Sequence, residues 1–139
     1  MRPTNNMVDI TNYVMLELGQ PVHAFDLDRI QKEIVVRDAF DLAEMITLDN
    51  TKRELKPKDV IITDGKRPLA LAGVMGGLDS EVEENTKVVL LESAAFSPER
   101  VRQTSKRLAL RSEASGRFEK GLSSELCLEV PAGDRKSVV

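Results

Sequence analysis

Leu69-Ala70-Leu71-Ala72-Gly73-Val74-Met75-Gly76-Gly77-Leu78-Asp79-Ser80 is a run of small apolar residues that ends in three glycines within five positions. Glycine reaches positive φ at no steric cost and lets another group come close to the backbone. The run therefore predicts a strand feeding a tight turn that something packs against. Most glycine-rich turns after strands are only turns. Two groups elsewhere are candidates to face this one. They are the only histidine, His23, and Glu92, a carboxylate set in the apolar run Val88-Val89-Leu90-Leu91-Glu92-Ser93-Ala94-Ala95-Phe96.

Working outward, the segments flanking the turn read as β-structure. Ile34 to Arg37 and Met45 to Leu48 are strand-like, Asp49-Asn50-Thr51 turns the chain, and Arg53 to Leu55 pairs back. Val60 to Asp64 and Pro68 to Ala72 flank Asp64-Gly65, a strong hairpin signal. Val88 to Leu91 predicts a central strand covered on both faces. Glu81 to Asn85 reads as a solvated loop.

Both ends of the chain read as helix. In Val8 to Leu18 the positions Val8, Ile10, Tyr13, Val14, Leu16 and Leu18 give one wide apolar face, with Gly19 as cap and Pro21 as stop. Thr11 and Asn12 fall mid-helix, where such side chains either bond back to the backbone or face solvent unless they have a second task. Gln20 to Asp26 reads as a turn entering an irregular or one-turn helical piece, with His23 presented after the stop. Ser97-Pro98 opens a second helix whose inward positions are Val101, Thr104, Ser105 and Leu108. Its Arg100, Arg102, Lys106 and Arg107, with Arg111, form the most basic stretch. That is either a solvated face or one that meets phosphates. Ser112 to Gly121 is assignable to neither helix nor strand, and the pattern weakens after Leu122. The expected class is α+β: mostly antiparallel sheets packed in layers with helices from the N-terminal and C-terminal parts.

Composition narrows the function. The chain has 139 residues, one domain's worth, with 41% hydrophobic residues and no Trp, so its core must be largely aliphatic. Twenty basic residues against 23 acidic ones argue against nucleic-acid binding by bulk charge but not against a local basic face. The single Cys127 excludes an internal disulfide and a cysteine zinc site. No apolar run approaches membrane-spanning length, and nothing resembles a signal peptide. A cytoplasmic location with no membrane partner is expected. The glycine turn is neither a P-loop nor a dinucleotide fingerprint, no metal-ligand spacing occurs, and no Gly-x-Ser-x-Gly elbow is present. Glu92 stands out, since a carboxylate in a run fit for burial needs either a structural partner or a ligand.

Several ordered blocks together resemble the editing domain of the bacterial phenylalanyl-tRNA synthetase β subunit. They are Arg2-Pro3-Thr4-Asn5-Asn6, Val8-Asp9-Ile10-Thr11-Asn12-Tyr13-Val14-Met15-Leu16-Glu17, Gly19-Gln20-Pro21-Val22-His23-Ala24-Phe25-Asp26, Ala72-Gly73-Val74-Met75-Gly76-Gly77, Leu91-Glu92-Ser93-Ala94, and Ser112-Glu113-Ala114-Ser115 with Arg117-Phe118-Glu119-Lys120-Gly121. The resemblance implies an editing-type domain over residues 1–121 and a truncated or divergent C-terminal end over 122–139. It implies hydrolysis of tyrosine wrongly esterified to tRNA(Phe), because an apolar synthetic pocket rejects an added hydroxyl poorly and a second site must remove the error. Glu92 would accept a hydrogen bond from the tyrosine phenol. Thr11, Asn12 and His23 would lie near the ester and amino group, with His23 positioning water or acting as base. Gly76 and Ala114 would leave room for the amino acid, and Ser112, where the family often has Thr, would line the pocket. The domain itself would need no cofactor or metal. ATP and Mg2+ would serve the full synthetase, whose α subunit and remaining β-subunit domains would be partners alongside the tRNA. The alternatives are a non-catalytic structural or tRNA-docking module using Arg100, Arg102 and Lys106, and a free-standing amino-acid-binding domain.

Overall fold

A computed structural model describes residues 6–31 and 33–128. The Arg2 to Asn5 block and the tail beyond Leu128 lie outside these residues. The order is α1 (Asn6–Leu18), β1 (Val22–Asp26), β2 (Val35–Asp38), β3 (Glu44–Ile46), β4 (Lys52–Glu54), β5 (Val60–Thr63), β6 (Pro68–Leu71), β7 (Met75–Gly76), β8 (Val89–Ser93), α2 (Pro98–Arg107) and α3 (Glu113–Phe118). The fold is α+β, and every strand pair is antiparallel.

The central strands are β5 and β6, inside a four-stranded sheet of order β2-β5-β6-β7. Three of the four residues in each are buried, so both faces are covered. Alternation then divides the core. Ile61 and Leu71, paired in register, join Val74, Val101, Leu110 and Phe118 from the turn and helical side. Ile62 and Ala70, the next pair, join Leu69, Ala72 and Phe25 of β1, with Leu90 of β8 packed alongside. The sheet thus has α2 and α3 on one face and a β1–β8 ribbon on the other.

Local chemistry sets the connections. Asp64 accepts backbone N–H groups from Lys66 (3.1 Å), Arg67 (3.0 Å) and Gln31 (3.3 Å), and Gly65 takes φ +93°, which closes the β5–β6 hairpin. Burial pushes the Asp64 carboxyl up, but these donors outweigh it and hold it below the usual range. Gly73, at φ +74°, turns β6 into β7, and Val74 N–H closes the turn on the Leu71 carbonyl at 3.0 Å. Gly76 and Gly77 do not use positive φ. They are glycine because of close approach: a Cβ on Gly77 would sit 2.5 Å from the Leu69 carbonyl oxygen.

Three expectations change. Gln20 to Asp26 is not an irregular or helical piece, because Val22–Asp26 is a strand paired to β8, with Val22 opposite Ser93 and Asp26 opposite Val89. Val88 to Leu91 is not a central strand. β8 has β1 as its only strand neighbour among the described residues, and all five of its residues are half-buried. The apolar face of α1 does not all point inward: Ile10, Tyr13, Leu16 and Leu18 are exposed, while Thr11 and Met15 are buried. The helix lies against β1 along its Thr11–Met15 side, which leaves the larger apolar side chains outward.

Two segments that gave weak patterns are ordered by specific bonds. The Ser112 hydroxyl accepts the Ser115 N–H at 3.0 Å, and the Ser115 hydroxyl accepts the Ser112 N–H at 2.9 Å. This reciprocal cap starts α3. Leu122 packs on the first core cluster, and Cys127 is buried with its carbonyl accepting the Ser93 hydroxyl at 2.9 Å. No helix among the described residues is long and apolar enough to cross a membrane.

Candidate active site

In an antiparallel pair, residues directly opposite one another place their side chains on the same face. His23 is opposite Glu92 in the β1–β8 ribbon. Both face a cavity of about 260 Å³, also lined by Asn12, Gly76, Ser112 and Ala114. The end of α1, the ribbon, the glycine turn and the start of α3 meet there. The volume is just under the roughly 300 Å³ at which ordinary ligand pockets begin. It suits one amino-acid side chain rather than a nucleotide.

Burial controls the electrostatics. His23 and Glu92 keep some surface at the cavity, yet protein atoms surround both closely. Burial pushes the His23 imidazole down to about 4, so it is neutral at pH 7. Burial pushes the Glu92 carboxyl up to about 7. Among the described residues the Glu92 side chain has no hydrogen-bond or ion-pair partner, and no ion pair joins it to His23. A carboxyl without a partner is poised to accept a donor brought by a ligand.

His23 is held firmly. Its ring meets Phe25 edge-on, with centroids 4.5 Å apart and planes at 83°. It also fills the space that a side chain at position 76 would need. A Cβ on Gly76 would stand 2.5 Å from His23 Cε1 and 2.7 Å from Nε2, with Leu48 Cδ1 at 3.1 Å. The vacancy at Gly76 thus seats the protein's own imidazole before any ligand. This adds a second reason for glycine at a position expected to leave room for the amino acid, and Gly76 does border the cavity.

The other expected site residues divide. Asn12, Gly76, Ser112 and Ala114 border the cavity, but Thr11 does not. The Thr11 hydroxyl donates to the Val8 carbonyl at 2.9 Å, bonding back along its own helix. The Ser112 hydroxyl donates to the Val74 carbonyl at 2.5 Å while capping α3, so it ties the glycine turn to that helix. Met15, Leu48 and Met75 also line the cavity and carried no distinguishing mark in the sequence. Gln20 is fully buried beside the ribbon. Its amide donates to the Ala94 carbonyl at 2.9 Å and its oxygen faces the Cys127 thiol at 3.8 Å, fixing the end of β8 next to Glu92.

The basic stretch is largely consumed by the fold. Arg100 bonds the Asp38 carboxylate and the Lys58 carbonyl, Arg102 donates to the Glu119 carbonyl, and Arg107 bonds Asp59 and the Glu54 carbonyl. Two of the three cations expected to contact tRNA, Arg100 and Arg102, therefore hold α2 to its neighbours.

The B3/4 domain family matches residues 1–131. The chain belongs to the B3/4 domain family. Similar proteins include the phenylalanine–tRNA ligase beta subunits of Staphylococcus haemolyticus (59% identical over 126 residues), Staphylococcus saprophyticus (58%) and Staphylococcus aureus (56%). Each alignment covers 90% of this chain and 16% of the relative. The B3/4 domain described here thus spans about one-sixth of the length of those subunits.

Proposed function

We propose that this B3/4 domain hydrolyses tyrosine from mischarged tRNA(Phe) as the editing site of a cytoplasmic phenylalanyl-tRNA synthetase. The observation that carries this reading is Glu92, an unpartnered carboxyl placed opposite His23 at an amino-acid-sized cavity. A phenol O–H entering the cavity gives the carboxylate the hydrogen bond it lacks and lowers its pKa again. Phenylalanine brings no such donor and leaves the carboxyl unsatisfied. Sites built on that asymmetry discriminate strongly.

At the ester, water adds to the carbonyl carbon and the ribose oxygen departs. A neutral imidazole pushed down to about 4 is a poor general base at pH 7. His23 and Asn12 therefore orient the water, and the terminal ribose hydroxyl of the tRNA assists proton movement. The domain needs no cofactor for this. ATP and Mg2+ serve the ligation reaction carried by other parts of the synthetase, with the α subunit and the remaining β-subunit domains as partners.

The test is deacylation of Tyr-tRNA(Phe) and Phe-tRNA(Phe), by this chain and by an assembled synthetase carrying it. Tyrosine should be released selectively, and Glu92→Ala should reduce the preference at least tenfold. Equal release of both amino acids by the unaltered protein would overturn the reading.

A further inference from the structure

Beside the amino-acid cavity lies a second, larger one of about 620 Å³, lined by Arg111, Ser112, Glu113, Gly116, Arg117 and Lys120. Ser112 and Glu113 border both cavities, so the two adjoin. The second contains three cations and one carboxylate. Glu113 is committed to Arg117 at 2.8 Å. Arg111 and Lys120 are exposed, and neither side chain has a hydrogen bond or ion pair among the described residues.

This contrasts with α2, where Arg100, Arg102 and Arg107 all bond protein oxygens. A chain with a net charge of −3 has acidic groups available to neutralise cations, yet these two face an open groove whose one carboxylate is already paired with Arg117. We infer that this groove binds the phosphodiester next to the esterified nucleotide, holding the acceptor strand of the RNA while the amino acid occupies the His23–Glu92 cavity. The inference rests on the editing reading and adds the RNA-backbone site to it. The geometry follows from the substrate: the ester sits on the terminal ribose, and the first phosphodiester lies one ribose away. Phosphate contacts of this kind position a strand without reading its sequence.

Two non-hydrolysable probes test it on the intact chain. One is adenosine carrying tyrosine through a 3′-amide, without phosphate. The other is the same unit extended by a 5′-linked cytidylate, which adds one phosphodiester. The phosphodiester should strengthen binding about fivefold or more at low salt. Arg111→Gln combined with Lys120→Gln should remove that advantage while leaving the phosphate-free probe within about twofold. The dependence of log affinity on log salt for a longer CCA-ended RNA should become shallower by roughly one unit per cation removed. Lys106→Gln, on α2 outside the groove, should change neither. Both groove residues are exposed, so an unchanged melting curve should accompany the loss.

If the phosphodiester gives no advantage, or the advantage survives in the double variant, the groove assignment falls while the editing reading stands. If the phosphate-free probe does not bind but the RNA does, and the double variant loses it, the groove stands and the editing reading falls. If neither probe nor RNA binds, both fall.

Discussion

Asp59 and Glu92 are both carboxylates withdrawn from water, and their surroundings differ completely. Asp59, in the turn just before β5, accepts the Lys56 N–H at 2.8 Å, the Thr104 hydroxyl at 2.8 Å and the Arg107 guanidinium. It clamps α2 to the sheet, and its bonds all come from the protein. Glu92, on the β1–β8 ribbon, has no such partner and faces a cavity. A buried carboxylate with its bonds filled belongs to the scaffold, whereas one left unfilled is a place for a ligand. The two regions should therefore respond to substitution in opposite ways.

The largest effect is expected on the scaffold side. Asp59→Ala leaves the Arg107 charge without its partner and strands the Thr104 hydroxyl and Lys56 N–H. Asp59 is buried but Arg107 is exposed and is rehydrated when freed, so the cost is that of stranding the buried hydrogen-bond partners of a charged group, about 2–3 kcal/mol. Urea unfolding should show a loss of that order, and a loss under about 1 kcal/mol would place Asp59 outside the scaffold.

Glu92→Gln should do the reverse at neutral and alkaline pH. A carboxyl whose folded pKa is raised to about 7 keeps, in the fold, a proton that the unfolded chain releases near 4.5. Its contribution to stability is complete below about 4.5 and is lost as pH rises through 7. Discounted for the part of the side chain that still meets water, the cost above pH 7 is on the order of 2 kcal/mol. His23, lowered from 6.5 to about 4, has the opposite sign: its contribution is complete above 6.5 and is lost as pH falls through 4. The wild-type chain should therefore lose stability between pH 6.5 and 8, where His23 no longer titrates. Glu92→Gln should be flat there and more stable at pH 8, with a tyrosine preference that is reduced but not abolished, since the amide oxygen still accepts from a phenol. A variant no more stable than wild type at pH 8 would mean that Glu92 has a partner after all.

The contrast was half legible in the sequence. Glu92 stood out as a carboxylate inside an apolar run, and the glycine turn marked a close approach. The hairpins around Asp49-Asn50 and Asp64-Gly65, the stop of α1 and the start of α2 depend on local turn and cap chemistry and fell where expected, while α1 begins two residues earlier than Val8. Asp59 did not stand out, because its partners come from positions 56, 104 and 107. β1 was missed because Val22 to Asp26 is short and lacks a clear alternation, and its strand character comes from β8, more than sixty residues later. α3 was missed because its cap is Ser-x-x-Ser, without the Glu or Gln that usually announces one. Gln20 looked like a loop residue, and nothing local says that it is fully buried.

Gly76→Ala probes the site side without touching a charge. The added methyl must displace the His23 ring, which packs edge-on against Phe25, and it also crowds Leu48. Overpacking of this kind costs about 1–3 kcal/mol. The functional loss should be the clearer signal, with tyrosine deacylation down at least tenfold because the imidazole is moved. Unchanged deacylation would mean that His23 is a packing residue only.

Ala109→Gly should give the smallest change, and it tests whether scaffold and site are separable. α2 ends with Leu110 N–H bonded to the Ser105 carbonyl at 2.9 Å and Ala109 N–H to that of Lys106 at 3.1 Å. This six-to-one and five-to-two pattern places a left-handed residue at the first position past the cap. Glycine is the usual occupant, but here alanine takes it at φ +50°. An L-residue in that region costs roughly 1–2 kcal/mol, and glycine returns part of the gain as added freedom in the unfolded chain. The net expectation is a stabilisation of about 0.5–1 kcal/mol, read as a raised urea midpoint with an unchanged slope. Ala109 borders neither cavity, so tyrosine release should be unaffected. A stabilised chain with altered editing would show that strain at the end of α2 reaches the site through the short link of Leu110 and Arg111 into the Ser112 cap.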